Sequence, residues 1–127
     1  MADVRQRVQR VREVMLGLHL HATAAEQEIH DRITTALTAA GIAHQHEVRI
    51  GKGCRVDFLC DGGVAIEVKR GKPHTGHVAA QVRRYAACPD VCAVVLVLER
   101  ALIHTLAEAN GKPVCVVALS RNWGIAV

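Results

Sequence analysis

The chain has 127 residues, half of them apolar, and a formal net charge of +4; this is enough for one domain with its own core and too apolar for intrinsic disorder. No apolar run approaches the ~20 residues of a membrane-spanning helix, and the charges that recur from Asp3 to Glu13 leave no signal-peptide core. Cys54, Cys60, Cys88, Cys92 and Cys115 follow no disulfide-framework spacing, so a reduced, cytoplasmic protein is expected.

Val4, Val8, Val11, Met15 and Leu18 recur at helical spacing, which predicts a helix over Asp3 to Leu18. Arg5, Arg7, Arg10 and Arg12 crowd that helix. They read first as a solvated polar face, and second as an arm meeting DNA or another copy of the chain. Thr23-Ala24-Ala25-Glu26 matches a capping box, with Thr23 as N-cap and Glu26 three residues on. Ile29, Ile33 and Leu37 continue a buried stripe, and Gly41 fits the stop. Glu28 falls off the stripe, and both it and His30 are expected at the surface.

Ala43 to Ile50 reads as a first strand, with His44 and His46 on one face. Two histidines at this spacing can chelate zinc, but no further close ligand cluster supports such a site. A loop from Ile50 to Cys54 leads into the strand carrying Asp57. Asp61-Gly62-Gly63 then turns the chain into a third strand, Val64 to Lys69, its glycines tolerating positive φ. A helix is predicted over His77 to Ala87. The aliphatic run Val91 to Leu98 suits a strand buried on both faces. A helix over Arg100 to Ala109, stopped by Asn110-Gly111, and a strand over Val114 to Leu119 follow. The tail from Ser120 to Val127 holds the single tryptophan and carries no usable pattern. This order predicts an α/β fold in one domain spanning 1–127, with a mixed sheet between helices, a core of about 23–119 and an N-terminal helix as an appendage.

The chemistry concentrates in the pair of strands around Asp61. Residues two apart on a strand share a face, so Glu67 and Lys69 project together with Ala65, while Val64, Ile66 and Val68 cover the other side. Asp57 on the adjacent strand brings a second acid. A hard divalent cation such as Mg²⁺ or Mn²⁺ takes oxygen ligands and keeps several waters, so Asp57, Glu67 and the Val68 backbone carbonyl would suffice. Lys69 would then orient or help deprotonate a water, or neutralise a phosphate. The plainer alternative is an exposed cross-strand ion pair, typically worth ~0.2–1 kcal/mol. That alternative leaves the basic flanks unexplained: Arg49, Lys52, Arg55, Lys69, Arg70, Lys72, Arg83 and Arg84 stand against Asp57, Asp61 and Glu67. A positive surround to an acidic centre suits a phosphate-bearing polymer. With one Phe, one Tyr and one Trp there is little material for base stacking, so the backbone of the nucleic acid is what would be held.

Asp57, nine intervening residues, then Glu67-Val68-Lys69 resembles the signature of the PD-(D/E)XK nucleases. Gln81-Val82-Arg83-Arg84-Tyr85 is similar to the Gln-x-x-x-Tyr motif of the RecB-like and phage-exonuclease branch. The likeness runs from about Thr23 to Leu119 and implies a restriction-endonuclease-like core in the order α-β-β-β-α-β. It implies that Asp57 and Glu67 hold the metal, that Lys69 is the catalytic lysine, and that Gln81 sits beside the site with Tyr85 as its helical partner. It also implies a glutamate from the first core helix, filled here by Glu26 or, as the alternative, Glu28. Val56 stands where the family often has a proline.

The resulting expectation is a Mg²⁺- or Mn²⁺-dependent DNA nuclease, structure-selective or weakly sequence-specific, of a kind used in repair, recombination or phage replication. Lys52, Arg55, Arg70, Lys72, Arg83 and Arg84 would contact the nucleic acid. A domain this small is expected to work as a homodimer or higher homo-oligomer, away from membranes. The alternatives are a nuclease-fold module that binds nucleic acid without cutting it, and a small interaction domain whose charges are surface pairs.

Overall fold

The computed structural model describes residues 3–20, 24–71, 74–100 and 107–119. Helices α1 (Val4–Leu16) and α2 (Glu26–Ala39) precede an antiparallel meander of β1 (His44–Gly51), β2 (Cys54–Cys60) and β3 (Val64–Lys69). Helix α3 (Thr75–Ala86), β4 (Ala93–Leu98), β5 (Glu108–Ala109) and β6 (Lys112–Ala118) complete an α/β fold with a six-stranded mixed sheet in the order β1-β2-β3-β4-β6-β5. β3, β4 and β6 run parallel, and the outer pairs are antiparallel. Among the described residues no helix is long and apolar enough to cross a membrane.

The two faces of the sheet carry separate cores. Val8, Val11 and Met15 of α1 and Ile29, Ile33 and Leu37 of α2 pack on Phe58, Val64, Ile66 and Val68. Val78, Val82 and Tyr85 of α3 pack on the other face, against Val56, Ala65 and Leu96. β4 is buried at every position, which is why its sequence does not alternate.

Local chemistry sets the boundaries. Asp3 caps α1 in a reciprocal box with Gln6 (2.8 and 3.1 Å). α1 is less an appendage than an element of the core, and its arginines tie it down: Arg10 donates to the Ala40 carbonyl at 2.6 Å. The Gly62-Gly63 turn has φ of 89° and 90°. A Cβ at Gly63 would stand 2.9 Å from the Asp90 carbonyl oxygen, so both the turn and the close approach to the start of β4 require glycine.

Three expectations are corrected. Glu108–Ala109 is not the end of a helix but a strand, pairing with Pro113 and Lys112. Asn110 (φ 50°) and Gly111 (φ 75°) form the two-residue turn between them, and positive φ at both positions is what Asn-Gly supplies to a hairpin. Residues 101–106 of that predicted helix lie outside the described residues, as do Thr23, Lys72 and the tail from Ser120. Helix α2 begins at Glu26, with Ala25 at the N-cap and no side chain capping it, so Glu26 opens the helix instead of standing three residues inside it. His30, expected at the surface, is buried on α2 with 5% exposure.

Candidate metal and phosphodiester site

The site forms where the meander stops being a regular sheet. β2 pairs with β3 only through Phe58, Leu59 and Cys60. On the other side β1 pairs with β2 on both flanks of Glu47 and Asp57 but not at those two residues, and Glu47 has φ 55°. Alternation breaks at the same point: Val56 packs under α3 and Phe58 under α2, although residues two apart on a strand ordinarily share a face. A local twist of this kind re-aims side chains and frees backbone groups.

The two acids take up the freed groups. Asp57 Oδ2 accepts the Val68 N–H at 2.7 Å, and Glu67 Oε1 accepts the Asp57 N–H at 3.2 Å. The carboxylates are thereby fixed by main chain rather than by flexible partners. Glu67 is 6% exposed. Its other oxygen lies 3.2 Å from Lys69 Nζ and 3.4 Å from Gln81 Nε2. Gln81 Nε2 also donates to the Tyr85 hydroxyl at 2.5 Å, so α3 braces Glu67 from below. Burial and then the Asp57 charge push Glu67 up to about 7, with Lys69 pulling the other way. The buried Tyr85 phenol is held well above its ordinary value, mainly by desolvation and then by the Glu67 charge.

On the α2 side, His30 enters the site. Its Nε2 lies 3.7 Å from Asp57 Oδ2 and 3.7 Å from Glu26 Oε1, and it is buried without a hydrogen-bond partner. Glu26, His30 and Asp57 can converge on one cation. Glu26 and Glu28 are both exposed, and of the two only Glu26 reaches that group. Glu67 is not part of the converging trio either, being turned toward Lys69 and Gln81. His30 could not be read from the sequence because it falls next to Ile29 on an apolar stripe. The available signal was its i,i+4 spacing from Glu26.

The expected basic contacts divide. Lys52, Arg55, Arg83 and Arg84 are exposed, with Arg55 paired to Glu47 at 2.8 Å. Arg70 is committed internally: its guanidinium meets Glu99 at 3.3 Å and donates to the Ala24 carbonyl. Arg70 therefore ties the chain just before Glu26 to the end of β3. An open groove of about 620 Å³ runs from Lys69 along α3, lined by His74, His77, Gln81 and Arg84. A smaller hollow of about 310 Å³ at the Gly62-Gly63 turn is not lined by Asp57 or Glu67. His44 turns back to the Ile42 carbonyl at 3.0 Å, and His46 meets His30 at 2.8 Å. The five cysteines are free.

No family model matches the chain, and no curated protein or solved structure matches it. The functional reading therefore rests on the residues themselves.

Proposed function

We propose that this chain is a divalent-metal-dependent nuclease of the PD-(D/E)XK kind, with a restriction-endonuclease-like core, hydrolysing phosphodiester bonds in DNA. The observation that carries the reading is the His30 Nε2 atom, buried without a partner between the carboxylates of Asp57 and Glu26. A buried polar atom without a partner is costly, and two carboxylates around it call for a cation. Oxygen donors with a single imidazole suit Mn²⁺ and tolerate Mg²⁺. Asp57, Glu26 and His30 would hold the ion, and the family resemblance adds Glu67 and the Val68 carbonyl as further oxygen ligands. A divalent cation there would supply Lewis-acid polarisation of the scissile phosphate.

The chain's own groups supply the rest. Lys69, anchored by Glu67, sets a positive charge at the mouth of the α3 groove, where it neutralises the phosphate and orients a water for attack. Gln81 and Tyr85 keep Glu67 from rotating. Arg84, His74 and His77 line the path by which a phosphate backbone reaches Lys69. With so small a base-reading surface, cleavage is structure-selective or weakly sequence-specific, as repair, recombination or phage replication would use.

The test is cleavage of labelled duplex, single-stranded and branched DNA, and of RNA, with Mn²⁺, Mg²⁺ or EDTA. Metal-dependent cleavage that Asp57→Ala abolishes is expected. Binding at full affinity in EDTA with no cleavage of any substrate would favour a binding module instead.

A further inference from the structure

We propose that His46 is a positioning residue that fixes the tautomer of His30 and so keeps a bare Nε2 lone pair facing Glu26 and Asp57. The inference rests on the metal-site reading above and extends it to a residue outside the ligand set.

A neutral imidazole carries one ring proton. His30 Nδ1 lies 2.8 Å from His46 Nε2, a full hydrogen bond, whereas His30 Nε2 lies 3.7 Å from either carboxylate, beyond hydrogen-bond reach. With the proton on Nε2, His30 would bury an N–H that no acceptor reaches. With the proton on Nδ1, His46 accepts it, and the Nε2 lone pair joins two carboxylate oxygens around one gap. Either placement satisfies the ring–ring hydrogen bond, since His30 Nδ1 would accept from His46 in the first; only the second leaves no buried N–H unpaired and three donors converging. A histidine that binds metal generally hands its other N–H to an acceptor that fixes the ring; here a second imidazole fills that place.

His46 is itself held. Its ring stacks on the fully buried Phe58 at 4.7 Å with an interplanar angle of 26°, and the His30 ring meets the same Phe58 at 5.4 Å. His30, His46 and Glu47 also come close enough to share a cation. That arrangement would face two bare lone pairs across 2.8 Å, where a shared proton fits directly.

The test compares wild type with His46→Phe, which keeps a flat ring on Phe58 but removes the acceptor, and His46→Gln, which restores a carbonyl oxygen. Long-range proton–nitrogen NMR of the metal-free protein is expected to show His30 as the Nδ1–H tautomer in wild type and His46→Gln, and to lose that preference in His46→Phe. Calorimetric titration with Mn²⁺ is expected to show about 10–100-fold weaker binding in His46→Phe, with most of the affinity retained in His46→Gln. An Nε2–H tautomer in wild type, or wild-type Mn²⁺ affinity in His46→Phe, overturns the proposal. So does an equal loss in both variants with the His30 tautomer unchanged. If wild type binds no Mn²⁺, the metal reading fails, and the NMR measurement still decides the role of His46.

Discussion

Asp57 and Glu67 are joined through the main chain: Glu67 accepts the Asp57 N–H at 3.2 Å, and Asp57 accepts the N–H of Val68, the residue after Glu67, at 2.7 Å. Each acid thus stands in for a ladder hydrogen bond at the point where β2 and β3 part. The geometry of the site and the closure of the sheet are consequently one feature.

Asp57 should therefore show two separable effects. Asp57→Ala leaves the Val68 N–H without its acceptor and is expected to destabilise the fold by about 1–3 kcal/mol in urea unfolding. Asp57→Asn keeps an oxygen for Val68 and should cost less, yet lose Mn²⁺ binding as completely as alanine. Equal stability losses in the two variants would contradict the assigned hydrogen bond.

Glu67 gives the metal-free protein a pH dependence. The folded chain holds this proton up to about pH 7, against an ordinary value of 4.5. The native state then binds more protons than the unfolded one across that window, so the Glu67 contribution to stability falls as pH rises through it. Glu67→Gln removes the effect. In the absence of metal it should stabilise the protein at pH 8 by about 2–3 kcal/mol relative to its effect at pH 5, read as the difference in unfolding free energy. A gain independent of pH would count against a buried, strained carboxylate.

In the proposed site His30 would set the choice of ion. One imidazole nitrogen among oxygens favours Mn²⁺ over Mg²⁺, so Mn²⁺ should bind more tightly in calorimetry. His30→Gln substitutes an amide oxygen and should weaken Mn²⁺ more than Mg²⁺, narrowing the ratio between them. An unchanged ratio would remove His30 from the ligand set.

Much of this was legible in the sequence. The apolar stripes of the helices, the Gly62-Gly63 turn and the buried β4 follow from local patterns that packing reinforces, whereas the cap expected for α2 does not form. The facing of Glu67 and Lys69 follows from the two-residue period, and the Gln81–Tyr85 contact from the helical one. What was hidden is non-local or irregular. The Asn110-Gly111 pair suits a helix stop as well as a hairpin, and only its partner strand β6 decides. His30 looks like a surface residue until Asp57 and His46 arrive from other elements, and Arg70 looks like a free cation until Glu99 claims it. The break in alternation between Val56 and Phe58 leaves no mark in composition, because both residues are apolar and fully buried.

Arg70 offers a test of that structural role. Arg70→Ala releases the Ala24 carbonyl and with it the start of α2, so Mn²⁺ affinity should fall through Glu26 while DNA binding measured in EDTA changes little. The converse result, weaker DNA binding with intact Mn²⁺ affinity, would return Arg70 to the nucleic-acid surface.

Lys69→Met tests most directly whether Lys69 and the proposed metal-holding acids form a phosphodiester-cleaving centre. The variant keeps an unbranched side chain one atom shorter and removes the charge beside Glu67. Cleavage of the preferred DNA substrate in Mn²⁺ should fall by about 10²-fold or more, while the fold and Mn²⁺ binding persist. Cleavage at the wild-type rate by Lys69→Met would contradict the account.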